Sequence, residues 1–343
     1  MWVIAGLAAG MARIRDAAAS FVAAIGRDAA SLVLLLCLPL CLAPCGATAQ
    51  APFTPLPPPA TAAGVQPITP IPQPPAADPR KLALGESLFC DRRLSHDGSL
   101  SCSSCHDLHT NGADDNRRTM ARNGAKMPFT VLSVFNAALS FRLNWEGNFR
   151  TLQAQTESSL ENPANMATGV DEVLAKLRAD PLTVQRFREA YGHGPDRTSL
   201  LDAVATYERS LLTPDSRFDQ FLKGDTAALT PEEHDGYQLF QTLGCISCHQ
   251  GVNIGGNLYE RHGIFHPLAA PKPEILRVPS LRNVATLAPY FQDGSAPTLD
   301  DAVRKMASAQ LDQSLSADQV AAIVAFLHTL TGKYHGVPVR APP

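Results

Sequence analysis

The spacing of apolar and polar positions after residue 80 is typical of helices. Residues 198–212, "TSLLDAVATYERSLL", place apolar side chains at helical intervals. Three further segments begin with a helix-capping residue: Thr230, Thr298 and Ser316. Gly332 is positioned to close the last of these helices. Because the alternation expected of strands is scarce, the pattern predicts an all-α fold.

The first fifty residues have a different pattern, which indicates export. Arg13, Arg15 and Arg27 precede the apolar run "SLVLLLCLPLCLAPC", and "ATA" at 47–49 has the small residues of a cleavage site. Two prolines interrupt the run, which is short for a membrane-spanning helix. We interpret residues 1–49 as a cleaved signal peptide and expect a periplasmic protein. An uncleaved membrane anchor is the alternative.

A proline-rich segment follows at residues 50–80. Proline cannot donate to a backbone ladder and disrupts helices, so the segment predicts a polyproline-like linker outside the core. The helical remainder is expected to hold two domains, at residues 81–225 and 226–335.

Composition narrows the function classes. The chain has 343 residues, 45% of them hydrophobic, which is enough for one large or two modest cores. A formal net charge of −3 without any basic block gives no support for nucleic-acid binding. Of eight cysteines, three lie in the signal segment and four in two repeated motifs. The remaining one, Cys90, lies in an apolar stretch and is expected to be buried.

The repeated motifs have the form CxxCH. They consist of Cys102, Cys105 and His106 in "SCSSCH", and of Cys245, Cys248 and His249 in "GCISCH". In an exported chain this spacing is typical of a c-type haem, whose vinyl groups react with the thiols and whose iron binds the histidine. A zinc site needs four neighbouring ligands, and a redox CxxC needs no adjacent histidine. We predict two covalently bound haems.

The segments before the two motifs also resemble each other. "GESLF" at 85–89 and "GYQLF" at 236–240 share the pattern G-x-x-L-F. Internal repetition of this kind predicts two related helical haem units in tandem.

The second axial ligand of each iron decides whether a haem carries electrons or leaves a position open for chemistry. Met306 lies in a predicted helix after the second motif and is the candidate ligand of the His249 haem. For the His106 haem, Met120 and Met127 flank the polar loop "ARNGAK". A displaceable Met120 and an empty position both remain open.

With these motifs the chain resembles the bacterial di-haem cytochrome c peroxidases and their MauG-like relatives over about residues 81–335. The resemblance rests on "LGESLF", "NWEGN", "ENPANM", "LLTPDSRFDQFLKGD", "GCISCHQGVNIGG", "PSLRNVATLAPYFQDG" and "AIVAFLHTLTG".

The resemblance implies roles by position. The His106 haem would react with peroxide, and the His249 haem would receive electrons from a donor protein. Met306 falls where the family has the methionine ligand of the second haem. Trp145 matches the tryptophan between the haems, and Gln155 matches the glutamine of the distal pocket.

Several positions depart from the family pattern. Asn165 stands where the family has an acid–base glutamate, and an amide cannot transfer protons at neutral pH. Glu161, about one helical turn earlier, is the candidate substitute. The loop that often carries a displaceable histidine offers only Met120, and Gln292 replaces a common histidine. The family's interdomain calcium is left open, because the usual asparagine is replaced near Met127.

The sequence therefore favours a periplasmic peroxidase that reduces hydrogen peroxide with electrons from a small cytochrome c or cupredoxin. The alternatives are a MauG-like oxidase of a partner protein and a di-haem electron-transfer cytochrome without turnover. A homodimer is left open.

Overall fold

The computed structural model describes residues 67–114, 127–270 and 272–343. The predicted signal peptide and Met120 lie outside the described residues. Within the described ranges, no helix is both long and apolar enough to cross a membrane.

The described residues contain nine α-helices and two short antiparallel strand pairs, β1–β2 and β3–β4. The helices are α1 Pro79–Phe89, α2 Leu152–Glu161, α3 Val170–Arg178, α4 Pro181–Tyr191, α5 Arg197–Ser210, α6 Arg217–Leu222, α7 Pro231–Thr242, α8 Leu299–Leu311 and α9 Ala317–His328. The strands are β1 Tyr259–Arg261, β2 Ile275–Arg277, β3 Lys333–Tyr334 and β4 Val337–Pro338. The predicted helical class is confirmed.

The predicted capping residues begin the last three helices. Thr230 accepts the Glu233 N–H at 3.3 Å, and the Glu233 carboxylate accepts the Thr230 N–H at 2.8 Å. Ser316 and Gln319 exchange the same pair of bonds at the start of α9, and the Thr298 hydroxyl caps α8. These bonds satisfy backbone donors that a helix leaves free at its N-terminus.

The glycines of the G-x-x-L-F repeat lie where helices cross. A Cβ atom on Gly85 of α1 would lie 2.1 Å from the Ala203 carbonyl oxygen of α5. On Gly236 of α7 it would lie 1.9 Å from the Ala322 carbonyl oxygen of α9. Only glycine permits so close an approach of two helix backbones. The G-x-x-L-F repeat therefore corresponds to the same helix crossing in each half of the molecule.

Two smaller expectations are wrong. Helix α9 ends at His328, so Gly332 does not close it; a Cβ atom on Gly332 would lie 1.9 Å from the Thr213 carbonyl oxygen. This glycine is required by a close approach of two chain segments rather than by a helix end. Cys90 is exposed at the C-terminal end of α1, where the helix face turns toward solvent.

Part of the predicted linker belongs to the core. Ile68 and Ile71 are buried, and Ile68 packs with the apolar residues of the C-terminal half. The Pro67 carbonyl accepts the Gly251 N–H at 2.7 Å, and the Ile71 N–H donates to Asp219 at 3.1 Å. The expectation that residues 50–80 lie outside the core is therefore wrong for 67–71. Proline prevents this segment from forming a helix or ladder, but not from packing its isoleucines.

A buried ion pair anchors the same region. Arg282 Nη1 lies 2.8 Å from Asp219 Oδ1, and both side chains are almost completely inaccessible. Arg282 also donates to the Thr69 carbonyl at 2.8 Å. The pair thus connects the chain segment after the second CxxCH motif, helix α6 and the extended segment at 67–71.

The two halves meet through matching asparagines. Asn136 and Asn283 both have a left-handed backbone, with φ of 61°, and each begins a short 3₁₀ turn. Their side-chain amides donate to the same Thr213 hydroxyl, at 2.8 and 3.0 Å. All three residues are buried. Satisfying these polar groups against each other fixes the relation of one half to the other.

The loops that follow the two CxxCH motifs reach across as well. Asn111 donates to the Thr286 carbonyl at 2.7 Å, and Asn253 donates to the Asn136 carbonyl at 3.1 Å. Each loop therefore binds the 3₁₀ turn of the other half.

Candidate haem centres

Each CxxCH motif folds as the same short turn. Residues Cys102–Ser104 and Cys245–Ser247 form 3₁₀ helices. The His106 N–H donates to the Cys102 carbonyl at 3.1 Å, and the His249 N–H donates to the Cys245 carbonyl at 3.0 Å. The structure therefore brings the cysteines and histidine of each motif into a common local arrangement.

Both histidines are held in the tautomer that an iron ligand needs. His106 Nδ1 lies 3.1 Å from the Gly112 carbonyl oxygen, and His249 Nδ1 lies 3.3 Å from that of Ile254. Since a carbonyl only accepts, Nδ1 carries the proton and Nε2 is left bare for a metal. Burial lowers the pKa of His106 and lowers that of His249 to about 4. Both rings are therefore neutral at pH 7.

A largely apolar cavity of about 370 Å³ adjoins the second motif. Cys245, Cys248 and His249 line it together with Met306 of α8. Apolar side chains make up much of the remaining wall, among them Phe240, Leu276, Leu281, Leu299, Ile323 and Leu327. Met306 and His249 thus face one cavity, as two ligands of the same iron must.

An unpaired cation in this cavity fits a haem. Arg277 is buried and lines the cavity, and its Nη1 has no hydrogen-bond partner among the described residues. Burial lowers the Arg277 pKa to about 10, which still leaves the side chain charged at pH 7. A buried charge without a counter-ion is strongly destabilising. The carboxylates of a haem supply that counter-ion, so the residues present fit the group.

Sequence reasoning missed Arg277. The feature that could have identified it is a single arginine within the apolar stretch "ILRVP", where the neighbouring residues Leu276 and Val278 are also buried. A charged residue in such a place requires a partner, which the sequence alone does not identify.

Trp145 lies beside the same cavity. It is 9% exposed and lines the cavity, and its indole N–H donates to the Thr130 carbonyl at 2.8 Å. Its own carbonyl accepts the Arg277 N–H at 2.9 Å, while Arg277 Nε donates to the Asn144 carbonyl at 2.9 Å. Arg277 therefore fixes the backbone that carries Trp145.

The residues predicted for the first haem's distal pocket are only partly together. Gln155 of α2 donates to the Ser159 hydroxyl at 3.2 Å, while its Oε1 is buried without a hydrogen-bond partner among the described residues. Asn165 is half-buried in the turn after α2, and its N–H donates to the Asn162 carbonyl at 3.0 Å. Glu161 is exposed at the last position of α2, so it does not share this burial.

A half-buried acidic residue, which the sequence did not reveal, also lies in this half. Glu208 lies in the last turn of α5, and its Oε2 is buried without a hydrogen-bond partner among the described residues. Burial raises its pKa to about 8. Helix spacing could have identified it, because Val204 and Ala205, four and three residues earlier on the same helix face, are completely buried.

Gln292 and the family's calcium site are the remaining features that the sequence singled out. Gln292 is buried, its side chain donates to the Ala270 carbonyl at 3.2 Å, and its own carbonyl accepts the Thr130 N–H at 2.8 Å. Among the described residues, no group of three or more His, Cys, Asp or Glu side chains could hold a metal ion. Calcium also binds carbonyl oxygens, so this finding leaves the calcium question where the sequence left it.

Two family models match the chain. The model described as di-haem cytochrome c peroxidase matches residues 79–227, and the model described as cytochrome c matches residues 234–331.

Named relatives agree with these matches. The cytochrome c peroxidase Ccp of Escherichia coli is 40% identical over 75% of this chain. The match covers 59% of the length of the Escherichia coli protein. The cytochrome c551 peroxidase of Nitrosomonas europaea is 36% identical over 73% of this chain and 79% of its own. A solved MauG-like protein associated with microbial copper homeostasis is 27% identical, with a TM-score of 0.68 over 77% of this chain and 94% of its own.

Together with the two CxxCH turns, these matches establish the cofactors. The protein carries two covalently bound haems c, one in each of two tandem cytochrome c-like domains.

Proposed function

Because the chain belongs to the di-haem cytochrome c peroxidase family, we propose that it reduces hydrogen peroxide with electrons that a small redox protein delivers through the C-terminal haem. One observation carries the proposal: the cavity at the second motif is largely apolar and is lined by Met306, whereas the N-terminal half has an acidic oxygen, Glu208 Oε2, that is buried without a hydrogen-bond partner among the described residues.

The C-terminal site suits electron entry. His249 and Met306 line the same largely apolar cavity and would be the two protein ligands of a haem iron held there. A methionine ligand raises the potential of a haem, which favours uptake of an electron from a donor. Trp145 lies against this cavity and is the residue through which we expect the electron to leave.

The N-terminal site suits peroxide. When bound, the haem on His106 supplies the iron at which the O–O bond is reduced. Gln155 offers a buried acceptor, and reduction of one hydrogen peroxide consumes two electrons and two protons to give two waters. We propose Met120 or an empty position opposite His106.

We propose the cellular location and the electron donor from the sequence and the family. The export signal at 1–49 supports a periplasmic location, and a periplasmic cytochrome c or cupredoxin is the class of donor proposed.

Peroxide turnover tests this function. The isolated di-haem protein should oxidise a reduced cytochrome c or cupredoxin in proportion to added hydrogen peroxide, with two electrons consumed per peroxide. Stopped-flow spectra of the protein with one electron per molecule should show one haem low-spin and reduced, and the other ferric and open to ligands. Two haems that stay low-spin and no turnover would indicate the electron carrier instead.

The 27% identity to a solved MauG-like protein favours the MauG-like alternative. We rank it second because Met306 stands where the MauG branch is expected to have tyrosine. An oxidised side chain on a partner protein, without consumption of reduced donor, would reverse this order.

A further inference from the structure

Peroxide chemistry at the His106 haem needs a group that moves a proton between the two oxygen atoms. Asn165 cannot serve, since an amide neither loses nor gains a proton at neutral pH. Glu161 is exposed at the end of α2. The site therefore lacks its expected acid–base residue at both positions that the sequence suggested.

We propose that Glu208 is the proton-transfer residue of the N-terminal haem site, which rests on the proposed peroxidase function. Glu208 Oε2 is buried without a hydrogen-bond partner among the described residues, and the same holds for Gln155 Oε1 and Thr156 Oγ1. Gln155 and Thr156 lie on α2, which packs against α5, the helix of Glu208. The Thr156 hydroxyl is close enough to lower the Glu208 pKa, so the packing of the two helices brings polar groups of α2 next to this carboxyl.

The helix that carries Glu208 packs near the haem attachment point, since Cys102 contacts apolar clusters that include Val204 and Tyr207 of α5. Burial raises the pKa of the Cys102 thiol to about 12, and the next largest contribution is the negative charge of Glu208. A charge acts strongly on another group only at short range. Because Cys102 bonds to the haem and packs against the apolar clusters that contain Val204 and Tyr207 of α5, we place Glu208 of the same helix near the N-terminal haem.

A structural role explains these contacts poorly. Arg209, the next residue on α5, lies 3.9 Å from Asp202; its charge lowers the Glu208 pKa, but burial outweighs this effect and Glu208 Oε2 has no hydrogen-bond partner among the described residues. A buried polar atom left without a partner costs about 1–3 kcal/mol, more for a charged one. A small molecule that donates a hydrogen bond would satisfy the carboxylate oxygen. Hydrogen peroxide and water have that chemistry.

The proposed step conserves atoms and charge. The ionised Glu208 carboxylate takes the proton from one peroxide oxygen and returns it to the other, which leaves as water when the O–O bond breaks. The two electrons come from the reduced donor protein, and two protons from solvent convert the remaining oxygen to a second water. Glu208 ends the cycle as it began.

This role predicts a pH dependence. The base must be ionised to accept a proton, so kcat/KM should rise with pH through the pKa of Glu208, which burial raises to about 8. Among the described residues, the groups known to influence this carboxyl are Arg209 on its own helix, the Thr156 hydroxyl on α2 and the Cys102 sulfur. Cys102 no longer titrates once it is bonded to the haem.

The first experiment is the Glu208→Gln substitution in the di-haem protein. It should lower kcat/KM for peroxide by about 10²–10⁴-fold and remove the rise near pH 8. The matched control is Glu189→Gln, an exposed glutamate on α4 of the same half, which should leave both unchanged. Haem content and the thermal midpoint check folding; if Glu208→Gln does not fold, Glu208→Asp keeps the charge and should shift the pH profile.

A ligand-binding measurement gives a readout that does not depend on turnover. Hydrogen cyanide must lose its proton to bind ferric iron, so cyanide affinity for the N-terminal haem, with the C-terminal haem reduced, should depend on pH through Glu208. Glu208→Gln should weaken binding at pH 7 and abolish this dependence. If the wild-type N-terminal haem binds no cyanide, no ligand reaches the site and the proposal fails.

A rescue experiment completes the test. Placing a carboxylate at the family's position, Asn165→Glu, should raise the turnover of Glu208→Gln at least about tenfold, a conservative share of what one acid–base group supplies. If Glu208→Gln keeps turnover and cyanide affinity within about twofold of wild type, or if only Glu161→Gln abolishes turnover, the proposal is wrong. A wild type that binds cyanide with the Glu208 dependence but reduces no peroxide would refute the proposed function alone.

Discussion

The two haem-binding halves share a backbone arrangement around the CxxCH motif, which we call the frame, and differ in the side chains that surround it. In each, a glycine permits a close helix crossing, a 3₁₀ turn presents the CxxCH motif, and a backbone carbonyl holds the histidine's Nδ1 proton. The C-terminal half then adds a largely apolar cavity with Met306, whereas the N-terminal half contains Glu208 and Gln155 with unsatisfied oxygens.

This difference shows how one repeated unit can serve two purposes. The frame fixes where a haem attaches and which nitrogen meets its iron, since these depend on backbone and motif. The character of each haem depends on a few side chains around it, because axial ligands and nearby charges set potential and reactivity. We expect experiments to affect the two halves separately where they differ and equally where they match.

The largest expected effect is the loss of one haem. Replacing both Cys245 and Cys248 with serine removes both thioether bonds of the C-terminal haem, while the N-terminal motif is untouched. Intact mass and haem staining on a denaturing gel should fall from two covalent haems to one. Cys90→Ser is the control and should retain two; release of haem from the wild type by acidic acetone would contradict covalent attachment.

The buried ion pair makes the C-terminal half more sensitive to loss of an arginine. Arg282→Met leaves the Asp219 carboxylate buried without its partner, which should lower the free energy of unfolding by about 3–5 kcal/mol. The N-terminal counterpart is Arg93, which pairs with Asp91 and Asp180 but is 37% exposed.

Arg93→Met should therefore cost about 1 kcal/mol or less, because water screens exposed pairs. Denaturant unfolding of both variants measures the difference. Equal losses would mean that the two halves do not differ in how their charges are buried.

Replacing the glycine at either helix crossing should lower the free energy of unfolding by a similar amount. Gly85→Ala and Gly236→Ala each place a methyl group about 2 Å from a backbone carbonyl, so the helices must separate. Overpacking of this kind costs about 1–3 kcal/mol and outweighs the 0.5–1 kcal/mol that alanine gains inside a helix. Gly169→Ala, which meets nothing within 4 Å, is the control in thermal unfolding. A neutral result at either crossing would argue against the shared frame.

The smallest expected effect concerns the potential of the C-terminal haem. Met306→His replaces a thioether ligand with an imidazole, which should lower the potential by at least about 59 mV, a tenfold change in the one-electron equilibrium. Spectroelectrochemistry measures it, and the sulfur-to-iron charge-transfer band should disappear. Met166→Leu, in the apolar core of the N-terminal half, should change neither. An unchanged band in Met306→His would make Met306 a packing residue only.

The sequence by itself determined the local features. Capping residues placed α7, α8 and α9, the CxxCH spacing identified both haem attachment sites, and the G-x-x-L-F repeat revealed the duplication. Each of these depends on residues within a few positions of one another, so its physical cause is visible along the chain. The helical class and the family followed from the same local patterns.

The tertiary structure decided what long-range contacts control. Ile68 lies in a proline-rich stretch yet packs in the C-terminal core, and Gly332 is needed by a segment more than a hundred residues away. The roles of Arg277 and Glu208 depend on what surrounds them, since Arg277 Nη1 and Glu208 Oε2 are both buried without a hydrogen-bond partner in the described part of the chain. Burial and charge depend on the whole set of neighbours that folding assembles, and linear spacing does not specify that set.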